Sequence, residues 1–145
     1  MAEAIDEAKL NALIGKVIGD VAGAMSLFLS YIGDQAGVFA ALDGAGRLSL
    51  DALAGKTGIN RKYLHQWLGS VSAAGYVTLH PEDDTFSLTP EQALVFTREG
   101  QPACMQGFIQ AILSQFEAHD KAADLRTQAD GIDPDATEDA ATSRD

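Results

Sequence analysis

The chain has 145 residues, 46% of them hydrophobic, which is enough for one core and leaves no room for a second large domain. A formal net charge of -11 disfavours phosphate backbones and anionic membranes as general partners, although a local basic patch could still act. The single cysteine, Cys104, excludes an internal disulfide, and no Cys/His cluster suggests structural zinc, so a reducing cytoplasm fits best.

In chain order, residues 5–32 read as one long helix. Ile14, Ile18, Val21, Met25, Phe28 and Ile32 recur at intervals of four and three, and Leu13, Val17 and Leu29 widen this stripe beyond what one neighbour would cover. Gly15, Gly19 and Gly23 set a second edge of small residues, which suits close backbone packing or else a frayed, kinked helix. The N-terminus is acidic where a secretory signal is basic, and the apolar run from Val21 to Ile32 is shorter than a bilayer span, so no membrane partner is expected.

Gly33 reads as the end of that helix and 34–42 as the next one, with Val38, Phe39 and Leu42 facing inward. After Gly44-Ala45-Gly46 comes a short extended piece. A helix from the Ser49 cap to Lys56 follows, with Ala52 and Leu53 inward and Gly58 as its left-handed stop. Asn60 caps the next helix, where Leu64, Trp67, Leu68, Val71 and Ala74 form the apolar face and Arg61, Lys62, His65, Gln66 and Ser72 lie away from it. Gly75 stops it. Residues 76–79 and 85–88 alternate as strands across Pro-Glu-Asp-Asp, so the segment from Leu48 to Leu88 spells a winged helix-turn-helix.

Thr89-Pro90-Glu91-Gln92 starts a short helix ending near Phe96. Gly100 to Pro102 break the chain before a helix over 103–123, whose apolar stripe includes Met105, Phe108, Ile109, Ile112, Leu113 and Phe116. The expected fold is mainly α with a small β-hairpin, a winged helix flanked by long N- and C-terminal dimerisation helices over residues 1–123. Residues 124–145 carry seven acidic against two basic side chains and hardly any large apolar ones, which predicts a disordered tail.

From Leu13 to Phe108 the sequence resembles the N-terminal domain of bacterial class I S-adenosylmethionine-dependent methyltransferases. The residues that carry the resemblance are GKVIGDVAGAM at 15–25, the run from Leu42 to Phe96 with its Tyr63 to Tyr76 core, and Gly107-Phe108. It implies a winged-helix dimerisation module that sits ahead of a catalytic domain and usually does not bind DNA. The catalytic machinery itself is missing. Gly44-Ala45-Gly46 is the one candidate for the glycine-rich strand-to-helix turn that approaches the cofactor, and it follows a helix instead. No cofactor and no methyl transfer are therefore expected of this chain.

Three functional readings follow. The first is a homodimer that buries Ile14, Ile18, Val21, Met25, Phe28, Ile32, Phe108, Ile112 and Phe116, with room in its cleft for a small apolar ligand. A second is a DNA-binding regulator using Arg61, Lys62 and Gln66, although the wing acids Glu82, Asp83 and Asp84 would repel phosphate. A metal-assisted ester or phosphoester hydrolase is the third. It would draw a divalent ion's ligands from His65, His80, Glu82, Asp83, Asp84 and His119, none of which has helical or hairpin ligand spacing.

Overall fold

The computed structural model describes residues 4–130. By its contacts the described chain divides into two units, one ending at Gln110 and the other beginning at Ala111. In the first, Asp6 caps α1 (Glu7–Gln35) by accepting hydrogen bonds from the amides of Ala8 and Lys9. The helix therefore runs through Gly33 rather than ending there. Gly33 is buried, and a Cβ on it would come within 2.0 Å of Cζ2 of Trp67, so its missing side chain serves a close approach of α4. The break comes at Gly37, whose φ of 74° is left-handed, and the helix expected over 34–42 shortens to α2 (Val38–Leu42).

The middle of the chain follows the expected winged order: β1 (Leu48–Ser49), α3 (Leu50–Thr57), α4 (Arg61–Ala73), β2 (Thr78–His80) and β3 (Thr85–Ser87). Ser49 accepts from the Ala52 amide and Asn60 from the Lys62 amide, so both caps hold as expected. Ala52 is exposed, however, and Leu50 and Leu53 are the buried pair of α3. In α4 the buried residues are Leu64, Leu68 and Val71, with Trp67 and Ala74 half-buried. The wing is antiparallel and gains β1 as a third strand, in the order β1-β3-β2, with Phe86 opposite both Leu48 and Leu79. Its strands are shifted from the expected spans because Tyr76 and Val77 still belong to the turn that leaves α4, where the Tyr76 amide reaches back to the Val71 carbonyl.

Thr89 and Gln92 close a reciprocal capping box at the start of α5 (Pro90–Phe96), with Pro90 at the first position. The core gathers Val38, Phe39, Leu42, Leu53, Leu64, Leu68, Val71, Val77, Phe86 and Phe96. Phe39 sits at its centre, stacked on Phe96 at 4.8 Å and meeting Trp67 edge-on at 5.3 Å.

The last helix, α6 (Gln106–Asp130), begins three residues later and ends seven residues later than the expected 103–123. It thus occupies the first residues of the expected disordered tail; the rest of that tail, 131–145, lies outside the described residues. Gln106 is buried at its start and donates from Nε2 to the Phe96 carbonyl, which fixes the helix's first turn to the end of α5. The second unit, among the described residues, is the remainder of α6.

Candidate functional site

Two surfaces of the first unit stand apart from ordinary solvated faces, and α1 contributes to both. The first is its apolar stripe. Every described side chain of α1 from Glu7 to Met25 is exposed, and Val21, Met25 and Phe28 are 57%, 54% and 46% accessible. Ile14, Ile18 and Ile32 are exposed as well. Nothing lies within 4 Å of a Cβ built on Gly15, Gly19 or Gly23, so the glycine edge makes no close approach within the described residues.

The second surface is a groove of about 430 Å³ between the last turns of α1 and the outer face of α4. Its walls are Leu29, Ile32, Gly33 and Ala36 on one side and Tyr63, Gln66, Trp67 and Ser70 on the other, with Ile59 and Val38 at the base. Among the described residues no charged side chain lines it. Trp67 fixes the spacing, because its indole Nε1 donates to the Leu29 carbonyl at 2.8 Å while its ring lies against Gly33. A carbonyl in an α-helix interior can take this second donor without losing its helical bond.

On the helix-turn-helix and the wing, two arginines are paired with acids. Arg61 donates from Nε to Asp51 at 2.6 Å, and Arg47 donates to both Glu82 and Asp83 on the wing, at 2.8 and 3.1 Å. Both wing carboxyls are held below the usual carboxylate range: Glu82 chiefly by its own backbone amide, Asp83 chiefly by the Thr85 hydroxyl, and each also by Arg47. Lys62 and Gln66 are exposed on α4, and Gln66 turns out to line the groove. Arg61, Lys62 and Gln66 thus all lie exposed on α4, with Arg61 paired to Asp51 and Gln66 at the edge of the apolar groove.

The histidines lie on three different elements. His65 is exposed on α4, His119 is exposed on α6, and His80 ends β2 with Nε2 2.7 Å from the Ser87 hydroxyl and Nδ1 3.8 Å from Glu82. Among the described residues no three His, Cys, Asp or Glu side chains come together to hold a metal. Asp84 is exposed at the wing tip with φ 52°. Gly44 and Gly46, both at positive φ, form the turn between α2 and β1, so they make no strand-to-helix cofactor loop. Of the residues on the C-terminal helix, Phe108 and Phe116 are exposed and Ile112 is half-buried.

The groove was not foreseen from sequence. Its signal was present in Gly33 and Trp67, read there as a helix stop and a core anchor, and only their contact shows that they make a wall together.

A family model for the Rv2258c-like winged HTH domain matches residues 23–98, just over half of the chain. The chain belongs to that family. The matched part of the domain runs from the second half of α1 to the end of α5, and so contains both walls of the groove but not the N-terminal half of the stripe. Among solved structures, PigF with SAH is similar at 16% identity and a TM-score of 0.47 over 91% of this chain. The domain spans about two fifths of that protein's length, 39%. No curated protein matches.

One expectation about α1 needs correction. The helix is long and apolar enough to cross a membrane by length and composition. The apolar run does not begin at Val21: Leu10, Leu13, Ile14, Val17 and Ile18 extend it, and Lys16 and Asp20 within it form a mutual ion pair of 2.6 Å. The last turns of α1 are nonetheless built into the winged core through Ser30, Gly33 and the Leu29–Trp67 bond.

Proposed function

We propose that this winged-helix domain is a homodimerisation module of the kind that precedes a methyltransferase catalytic domain, acting in the cytoplasm without methyl transfer of its own. The observation that carries the reading is the bare stripe of α1. Its nine large apolar side chains, each about half exposed, amount to roughly 800 Å² of apolar surface, which is the share each partner contributes to a standard protein interface. A patch of that size on one helix is larger than a soluble monomer normally leaves in water. Phe108, exposed on α6 within the same unit, would add to it.

The methyltransferase context rests on the sequence resemblance together with the winged-helix family. A second copy also accounts for α1 better than a bilayer does, because the same helix ends inside a water-soluble type of core and carries an ion pair midway. Light scattering after gel filtration should give a mass near twice the 15.3 kDa of one chain at low micromolar concentration. A stable monomer there contradicts the reading. Calorimetry with S-adenosylmethionine should give no heat, since Gly44-Ala45-Gly46 is an exit from α2; saturable micromolar binding would restore a cofactor role.

A further inference from the structure

We infer that two copies pair through antiparallel α1 helices crossing at Val21, so that the N-terminal half of each helix lies on the anchored end of the other. This rests on the dimer reading above and fixes its geometry. Leu10, Ile14, Val17, Val21, Met25, Phe28 and Ile32 are spaced four, three, four, four, three, four, a pattern that reads the same in both directions from Val21. On a straight helix these seven fall within an arc of about 80°. A two-fold axis through Val21 therefore sets Leu10 against Ile32, Ile14 against Phe28 and Val17 against Met25, with every apolar residue meeting another.

The spacing departs from a heptad at its centre, where two fours adjoin. The result is an eleven-residue period from Leu10 to Val21 and again to Ile32. Such a stripe runs almost straight along the helix and does not impose the left-handed supercoil of a long parallel coiled coil.

Support within the chain points the same way. Among the described residues α1 is anchored at its C-terminal end, where Leu29 and Gly33 meet Trp67 of α4 and Ser30 is buried, whereas Glu7 to Met25 are exposed throughout. Parallel pairing would lay two unsupported halves on each other. Antiparallel pairing lays each on an end that is already fixed, and it also opposes the two helix dipoles. Ile32 belongs to both the stripe and the groove, so Leu10 of the second copy arrives at the groove mouth beside Trp67.

Cysteine cross-linking in a Cys104→Ser chain tests this, after light scattering has established the mass of each variant. Val21→Cys should form a disulfide-linked dimer under mild oxidation. Leu10→Cys alone should stay uncross-linked, because its copy lies about 33 Å away along the antiparallel pair. Co-refolding Leu10→Cys with Ile32→Cys should give the mixed dimer as the main cross-linked product, several-fold over either homodimer. Leu10→Cys linking to itself as readily as Val21→Cys means a parallel pair and overturns the inference while leaving the dimer. A dimer in which neither Val21→Cys nor the mixed pair links also overturns it. A monomeric mass for the unmutated chain removes the dimer reading itself.

Discussion

Phe39→Ala should lower the unfolding free energy by about 3–5 kcal/mol, enough to leave the winged domain largely unfolded at moderate temperature. The side chain is almost completely buried and bridges three elements: it lies in α2, stacks on Phe96 of α5 and meets the edge of Trp67 in α4. Truncation removes a ring's worth of buried surface and leaves a cavity that neither flat neighbour can fill, because Trp67 is tethered by its bond to the Leu29 carbonyl. Phe39→Leu keeps most of the volume and should cost much less. Urea denaturation followed by circular dichroism measures both. If the alanine variant lost under 1 kcal/mol, the centre of the core would lie elsewhere.

Much of this core was legible in the sequence, and the reason is local. Asn60, Ser49 and Thr89 are capping residues whose bonds span two or three positions, so their helices begin where composition says they do. The Thr89–Gln92 box and the positive φ at Gly58 are likewise decided within four residues. What the sequence did not disclose was set by distant contacts. Gly33 resembles any helix terminator until Trp67, far along the chain, is seen against it. The pairing of Arg61 with Asp51, and of Arg47 with Glu82 and Asp83, is likewise set by contacts between separate elements.

The candidate site divides in the same way. The stripe of α1 follows from helical period alone, so Ile14, Ile18, Val21, Met25, Phe28 and Ile32 could be named at once, and all are exposed. The groove depends on how α1 crosses α4, which no periodicity specifies. Among the described residues of one chain, no three His, Cys, Asp or Glu side chains come together, a relation that sequence spacing does not specify.

The second large effect is expected on α1 itself. Val21→Asp together with Met25→Asp places two carboxylates per copy, four per dimer, in an apolar interface with no cation across from them. That should weaken association by on the order of 3 kcal/mol or more, above 100-fold in Kd. The winged core should survive, because neither residue is buried in the chain or among those that fix α1 to α4.

Hydrogen exchange along α1 reads the consequence most directly. A helical half that touches nothing else frays, since local hydrogen bonds barely repay the ordering of the backbone, whereas a half covered by another copy exchanges only when the pair opens. The unmutated chain at tens of micromolar should therefore show residues 10–25 protected to nearly the level of α4, with that protection falling on dilution. In the double-aspartate variant the same residues should exchange at least 100-fold faster while α3 and α4 remain protected. Rapid exchange of residues 10–25 in the unmutated chain, unaffected by concentration or by the substitutions, would contradict the claim that the stripe is an interface between copies.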